Sequence, residues 1–364
     1  MGAAERPKTR AFTSGDDHAV AFWWHLRVPV RIIPTYSTVG VMSDQASAVI
    51  TRSWRVPNER VETRLDTFVR RCLPHLSRRE VEHAICGKLF RINDKVGEKG
   101  DKLLPGDQVT FQGAEHWLLT APVSQSQLRV PIVYEDASVL VVDKPAGMAT
   151  HGFSGRDQGT LANFLAAERP DLLMIGKSRW EPGLVHRLDR ETSGLVLVAK
   201  TQAAFDDLRL QFRRRQVRKK YWALVWGITE PEGAVAYPIA HDSRDKRRMR
   251  AISDISPRSK KQKSWAALTR FRKLWDVDGL SLLDIEMETG VTHQIRVHLA
   301  AMGHPIVGDI LYGANHRETF SLERQFLHAC CLEFFHPRDR RVVKIESDLP
   351  LELEDVLGRL KPRR

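Results

Sequence analysis

The chain has 364 residues, enough for two folded domains, and its hydrophobic share of 42% is that of an ordinary globular protein. These values exclude a collagenous or largely disordered chain, and no stretch approaches the roughly 18 apolar residues of a membrane span. The excess of 57 Lys and Arg over 45 Asp and Glu gives a formal net charge of +12, which favours a polyanionic partner without showing that binding is specific.

The cysteines bear on the cellular compartment. Cys72, Cys86, Cys330 and Cys331 show no metal-ligand spacing, and the adjacent pair suits disulfide geometry poorly. A secreted scaffold held by disulfides is therefore excluded, and we expect a cytoplasmic protein.

Residues 1–55 mix charges, small residues and scattered tryptophans without a helical or strand period, which predicts a disordered or loosely packed leader. The apolar segment 19–24 is too short for a membrane span and poorly flanked for a signal peptide. Met42 lies shortly before the first organised segment, and we hypothesise that translation starts there. An intact mass equal to that of the full chain would exclude this start.

A compact unit is predicted over residues 62–113. Ser77 and Glu80 have the spacing of a capping box and precede an apolar helical face. Short strands at 89–92 and 108–111 follow, each next to a turn signal. The unit is crowded with basic side chains, which favours an RNA contact, although a solvated surface explains any one of them. They are Arg70, Arg71, Arg78, Arg79, Lys88 and Arg91.

A linker at 114–127 leads to a large domain at 128–355, and residues 356–364 form a basic tail. Many strands and few helices follow one another in this domain without regular alternation, so we predict an α+β fold rather than a doubly wound sheet. The strands are predicted at 132–134, 139–142, 195–199, 221–228, 265–271 and 280–288, and the helices at 160–169 and 205–212.

Residues 183–194 place a short polar loop between two apolar runs, which is how a scaffold presents reactive side chains. The simplest interpretation of Asp189 in this loop is a carboxylate that accepts a backbone N–H in a turn. The simplest interpretation of Arg187 is a surface ion pair with Glu191. The residues alone favour these structural interpretations.

A second cluster covers residues 289–303. Thr292 is the predicted N-cap of a helix with Ile295, Leu299 and Met302 on its apolar face. Arg296 then lies near the first turn, where the helix dipole disfavours a cation, so we expect a carboxylate partner nearby. The alternative is a solvent-facing arginine at a cost of roughly a few tenths of a kcal/mol.

Both clusters resemble motifs of one enzyme family. Residues 186–189 with 192–194 resemble the signature of the RluA family of pseudouridine synthases, and 292–298 resemble its later motif at a fitting separation. Several ordered blocks over one domain are a far stronger signal than one short motif. The small basic unit resembles the ribosomal S4-like RNA-binding domain that precedes the catalytic domain in many members. The further blocks are 142–147 with His151, 220–227, and 303–309 with 327–329.

The resemblance covers roughly residues 62–355 and implies an RNA pseudouridine synthase with the family's α+β fold, a mixed and largely antiparallel sheet. It implies neither a cofactor nor a metal, because the reaction has no redox or phosphate-transfer step. By family habit the target is large-subunit ribosomal RNA rather than transfer RNA, and we expect a monomer. One departure is Val291, where the family usually has Arg or Lys, so one phosphate or base contact is in doubt.

The resemblance also implies roles for particular residues. Asp189 is the nucleophile, kept ionised by a neighbouring cation for which Arg296 is the candidate. Tyr221 packs against the flipped base and assists the final proton removal, and Arg187 fills the space that the base leaves. The other substrate-binding candidates are Ile295 in the site, Arg213, Arg214, Arg215, Arg218, Lys219 and Lys220 at phosphates, and Arg78 and Arg79 in the small domain.

Two other classes of protein compete with this interpretation. A noncatalytic RNA-binding ribosome-assembly factor could keep the fold, but binding alone needs no buried acid such as Asp189. A glycoside hydrolase needs paired carboxylates, and Asp189 has no obvious partner in the sequence. Tyr221 also has a plain interpretation as one more core aromatic of its strand.

Overall fold

The structure is a computed structural model that describes residues 49–57, 63–114, 117–119, 121–152, 157–253, 263–313 and 320–360. Most of the predicted leader, including Met42, and the end of the basic tail lie outside these ranges. None of the helices in the described ranges is long and apolar enough to cross a membrane.

The N-terminal part packs two helices on a four-stranded sheet. Its elements are β1 Val49–Arg55, β2 Thr63–Arg64, α1 Leu65–Cys72, α2 Arg78–Cys86, β3 Phe90–Ile92, β4 Lys95–Val96, β5 Lys102–Leu103 and β6 Gln108–Ala114. The strand order of the sheet is β1-β6-β3-β4. Phe90 and Phe111 lie opposite each other on β3 and β6 and are fully buried, because alternate residues of paired strands point to one face.

The predicted capping box and turn are both present in this part. The Ser77 side chain accepts the Glu80 N–H at 3.3 Å, and the Glu80 carboxylate accepts the Ser77 N–H at 2.7 Å. Asn93 and Asp94 have φ angles of 43° and 69°, the left-handed conformation that asparagine and aspartate tolerate best. These local predictions are confirmed.

The predicted extent of the leader is wrong over its last residues. Strand β1 pairs along its whole length with β6, from Val49 opposite Ala114 to Arg55 opposite Gln108. No residue of β1 is fully buried, and only Ile50 and Trp54 are half-buried. An edge strand with so little apolar alternation is specified by its distant partner more than by its own pattern.

The large part is built on one extended sheet. Its elements are β7 Ile132–Glu135, β8 Val139–Lys144, α3 Leu161–Glu168, β9 Ser193–Ala199, α4 Gln202–Arg213, β10 Arg218–Trp226, β11 Glu232–Val235, β12 Ile239–His241, β13 Met249–Ala251, β14 Ser264–Trp265, β15 Thr269–Val277, β16 Leu280–Met287, α5 Gln294–Ala301, β17 Leu327–Phe335, β18 Val342–Glu346 and α6 Leu351–Leu360. The strand order is β11-β15-β16-β10-β17-β9-β8-β7, and β18 pairs with β17.

Within this sheet β9 and β17 run parallel, and the other pairs of strands run antiparallel. The sheet is therefore mixed and largely antiparallel, and the predicted α+β fold is confirmed. All seven residues of β9 are buried, as expected for a continuous apolar run at the centre of a sheet.

The predicted strand at 265–271 is two strands. Ser264 and Trp265 pair with β12 in a separate three-stranded sheet, and the main sheet resumes at Thr269. Between them the N–H of Leu268 is accepted by the Thr289 hydroxyl at 2.9 Å. A side chain from a distant segment thus satisfies the backbone where the chain changes sheets.

Candidate active site

The loop 187–192 precedes the central strand β9, and side chains from other segments hold its backbone. Thr150 Oγ1 donates to the Leu188 carbonyl at 2.8 Å and accepts the Leu188 N–H at 3.1 Å. The buried ammonium of Lys144 and the buried guanidinium of Arg324 donate to further carbonyls of the loop at 3.1 and 3.3 Å. A backbone fixed in this way presents the aspartate of the loop in one direction.

The Arg296 guanidinium bridges two carboxylates. Nη1 donates to Asp189 Oδ2 at 3.0 Å, whereas Nε and Nη2 donate to the two oxygens of Asp309 at 2.7 and 2.9 Å. Burial alone would lower the pKa of Arg296, but the carboxylates raise it above the usual value of arginine. The Asp309 side chain is fully buried, and that of Asp189 is 21% exposed. Only Asp189 is therefore open to a substrate.

Helix α5, which carries Arg296, begins later than predicted. Thr292 is not its N-cap; His293 holds that position with φ of 57° and no side-chain cap. Instead, the Gln294 amide oxygen accepts the Val291 N–H at 3.1 Å, so a residue inside the helix supports the turn before it. The predicted apolar stripe is also too narrow, because every residue from Gln294 to Leu299 is buried.

A small cavity opens at Asp189. Tyr221 from β10, Ile295 and Arg296 from α5, and Arg187 from the loop contribute to its wall. Its volume of about 70 Å³ is several times the roughly 10–15 Å³ that a cavity needs to hold one water, so part of a ligand can enter beside Asp189. Tyr221 is only 3% exposed. Burial, and after it the charge of Asp189, raises the pKa of Tyr221, so its hydroxyl stays protonated.

This site lies within a segment that known proteins share. The family model described as RNA pseudouridylate synthase matches residues 138–301, and the S4 domain model matches residues 63–109. An uncharacterized RNA pseudouridine synthase of Chloroflexus aurantiacus is 38% identical over 85% of this chain and 93% of its own length. The chain belongs to the RNA pseudouridine synthase family.

Other relatives extend the match. A ribosomal large subunit pseudouridine synthase D of Nitrosomonas europaea is 32% identical over 90% of this synthase and 92% of its own length. A protein of the same name from Neisseria meningitidis serogroup A is 36% identical over 88% and 85% of the two chains. The RluA-family resemblance and the enzymatic class inferred from the motifs are confirmed.

Arg187 of the synthase is an exposed residue at the rim of the cavity. Its Nη1 lies 3.3 Å from His151 Nε2, a contact other than the surface ion pair with Glu191 considered above. Because a guanidinium can only donate, His151 Nε2 accepts, and its Nδ1–H donates to the Gly152 carbonyl at 3.0 Å. The arginine is thus held weakly, beside Asp189 and in contact with solvent.

The predicted phosphate contacts on β10 fall into two groups, because alternate residues of the strand point to opposite faces. Arg218 and Lys220 point away from the buried face, whereas Lys219 and Tyr221 point into it. The prediction for Lys219 is wrong, because its buried ammonium donates to the Thr289 carbonyl at 3.2 Å and burial lowers its pKa to about 8.

The other predicted RNA contacts lie on the surface of the synthase and outside the cavity. Arg218 and Lys220 pair with Glu286 and Asp284 at 3.1 and 3.3 Å, so part of their charge is already compensated. At the end of α4 and the start of α2 the candidates are exposed: Arg213, Arg214, Arg215, Arg78 and Arg79.

Sequence reasoning missed three residues that shape the site. Asp309 lay inside a motif used for the family resemblance, but nothing in its neighbourhood indicated that it pairs with Arg296. His293 lay inside the second cluster, where no role was derived for it, and it lines the cavity. Tyr312, which lies 2.9 Å from His293 Nδ1, gave no signal in the sequence.

Proposed function

We propose that this synthase isomerises specific uridines of large-subunit ribosomal RNA to pseudouridine with Asp189 as its nucleophile. The observation that carries the proposal is the Asp189 carboxylate, 3.0 Å from Arg296 Nη1 and partly exposed in the wall of an open cavity. A carboxylate beside a permanent cation stays ionised and keeps one orientation.

The reaction needs a nucleophile, a turning base and shelter from water. The Asp189 carboxylate bonds to C1′ as the C1′–N1 bond breaks, and the base turns. Carbon 5 then attacks C1′ and displaces the carboxylate, which is thereby regenerated, and carbon 5 loses its proton to solvent. Tyr221 packs against the base in this proposal. Its raised pKa favours that packing role over removal of the proton, because a base would have to be the phenolate.

The second carboxylate of the site does not suit hydrolysis by a carboxylate pair. Both oxygens of Asp309 accept hydrogen bonds from Arg296, and Oδ1 also accepts the N–H groups of Leu311 and Tyr312 at 3.0 Å. A fully buried carboxylate bonded in this way neither donates a proton to a leaving group nor activates water. Asp189 therefore acts without a carboxylate partner.

A uridine within folded RNA has to leave its stack to reach Asp189. The exposed Arg187 guanidinium at the rim of the cavity is the group that would enter the vacated space, since its bond to His151 is long and easily exchanged. The S4 domain and the basic surface would grip the surrounding phosphates. Relatives called ribosomal large subunit pseudouridine synthases support ribosomal RNA as the target.

Pseudouridine mapping of cellular RNA tests the proposal. Cells that carry Asp189→Asn as their only copy should lose one or more pseudouridines in large-subunit RNA, while the purified variant still binds that RNA. The matched control is Asp278→Asn, an exposed aspartate with φ of 50°, where asparagine is readily accommodated. An Asp189→Asn map identical to that of the control would favour the noncatalytic assembly factor.

A further inference from the structure

A chain of hydrogen bonds fixes the proton of one histidine in the cavity wall. The Tyr312 hydroxyl accepts the Met249 N–H at 2.8 Å and lies 2.9 Å from His293 Nδ1. Burial raises the pKa of Tyr312 to about 12, so the hydroxyl keeps its proton and has one to donate. We assign that proton to the contact with Nδ1, which leaves the ring proton of neutral His293 on Nε2.

The Nε2–H group of His293 is directed to the reacting centre. Nε2 lies 3.9 Å from Asp189 Oδ2, which is too far for a hydrogen bond but leaves room beside the carboxylate. Burial lowers the pKa of His293, partly opposed by Asp189, so the ring is a neutral donor near pH 7. Its backbone has φ of 57°, an uncommon conformation that surrounding structure maintains at functional sites.

Holding the nucleophile is not what this histidine is needed for. Arg296 already donates to Asp189 at 3.0 Å and is itself fixed by Asp309. Tyr312 in turn fixes His293. A donor that is held in place, faces the cavity and has no acceptor within hydrogen-bond distance of Nε2 there, among the residues that the structure describes, is suited to an oxygen that arrives with the substrate.

We propose that His293 is a further catalytic residue whose Nε2–H donates a hydrogen bond to a carbonyl oxygen of the flipped uracil. The inference rests on the proposed function. When the C1′–N1 bond breaks, its electron pair stays with the base, and the carbonyl oxygens share the negative charge. A fixed donor stabilises that charge without transferring its proton, and Tyr312 acts as the positioning residue that keeps the proton on Nε2.

Two substitutions separate the effect of losing the Nε2–H donor from any effect of the left-handed backbone at this position. His293→Asn tolerates the left-handed backbone but is too short to reach the base, whereas the amide nitrogen of His293→Gln can approach the position of Nε2. Activity is measured as tritium release from a ribosomal RNA transcript of the mapped site, labelled at carbon 5 of uridine. We expect His293→Asn to lower kcat by roughly 10²–10³-fold with unchanged RNA affinity, and His293→Gln to recover at least about tenfold.

A substrate change tests the same contact from the side of the base. Sulfur accepts hydrogen bonds poorly, so a transcript with 2-thiouridine or with 4-thiouridine at the target should react more slowly with the wild type. His293→Asn already lacks the donor, so it should react with the thio base that slows the wild type as fast as it reacts with uridine. Tyr312→Phe, which removes the hydroxyl that positions the ring, should lower kcat by about tenfold.

The outcomes distinguish this inference from the proposed function. A wild type that releases no tritium from any transcript would overturn the proposed function itself. An active wild type overturns the role of His293 alone if His293→Asn keeps kcat, if the loss appears in RNA affinity, or if His293→Gln is no better than His293→Asn. Equal slowing of the wild type and His293→Asn by both thio bases also overturns it. The exposed His241→Gln is the matched histidine control.

Discussion

Arg296 neutralises two carboxylates, so its removal has two separable effects. Arg296→Met leaves the fully buried Asp309 without a cation, and losing one partner of a buried pair costs roughly 3–5 kcal/mol of unfolding free energy. It also leaves Asp189 without the group that orients it, so we expect tritium release to fall at least about 10²-fold. Urea unfolding measures the first effect and the release assay the second.

A second substitution shows whether the two effects are independent. Adding Asp309→Asn to Arg296→Met removes the buried charge, while the new amide oxygen still accepts the N–H groups of Leu311 and Tyr312. Most of the lost stability should return, but activity should not, because Asp189 still lacks its guanidinium. Recovery of both would mean that Arg296 has a purely structural role.

At the scale of elements, two histidines, the half-buried His186 and the fully buried His328, bind strand β9 to its surroundings. His186 Nε2 accepts the Leu197 N–H at 2.8 Å, and His328 Nδ1 lies 2.9 Å from Ser193 Oγ. Burial lowers the pKa of His186 to about 3 and that of His328 to about 4. In the unfolded chain a histidine titrates near 6.5, so below that pH the unfolded chain binds protons that the folded chain does not.

Stability should therefore fall as the pH drops from about 6.5 towards 4. At pH 5 the loss is about 2 kcal/mol for each histidine, 1.5 pH units below the unfolded pKa at about 1.36 kcal/mol per unit. His186→Gln keeps an acceptor for Leu197 but cannot titrate, so its unfolding free energy should depend less steeply on pH. His241→Gln, at an exposed position, should keep the wild-type slope. Identical slopes for all three proteins would contradict the linkage.

Local patterns predicted those elements whose determinants lie within them. The capping box of α2 and the apolar run of β9 need no distant partner to be recognised. Strand β1 was missed because two helices and four strands separate it from its partner β6, and its own apolar alternation is weak. The start of α5 was misplaced because the Gln294 side chain supports the preceding turn, where a Thr292 cap was expected.

The same limit applies to the site. The position of Arg296 near a helix start predicted a carboxylate partner, but the identity of Asp309, 13 residues further on, depends on how the chain turns after α5. Lys219 was predicted to contact phosphate because it stands in a basic run. That run does not show which of its residues point to the buried face of β10. Only the folded chain brings His293 and Tyr312 within hydrogen-bond distance. Motif order thus located the site, and folding determined which groups face it.

At the scale of the whole molecule, the 57 lysines and arginines include several that carboxylates already neutralise and that add nothing to the net charge of +12. Arg218 contacts two glutamates, and Arg340 is paired with Asp207 at 2.8 Å. Arg78 and Arg79 stand at the first turn of α2, where the helix dipole disfavours cations and where Glu80 and Glu82 oppose them in part. Their charges add to those of the exposed helix N–H groups, which makes this end of the S4 domain attractive to a phosphate.

The salt dependence of RNA binding tests this contact. Each phosphate that a cation neutralises adds about 0.7–0.9 to the slope of log K against log salt. Arg78→Gln with Arg79→Gln should therefore flatten that slope by about 1.4–1.8 and raise KM, while kcat at saturating RNA stays at the wild-type value because the catalytic groups are untouched. Arg340→Gln removes a guanidinium that is already paired and should leave the slope unchanged. If both variants keep the wild-type slope, the start of α2 does not contact phosphates, and the attraction to RNA has to come from other exposed cations such as Arg213 and Arg214.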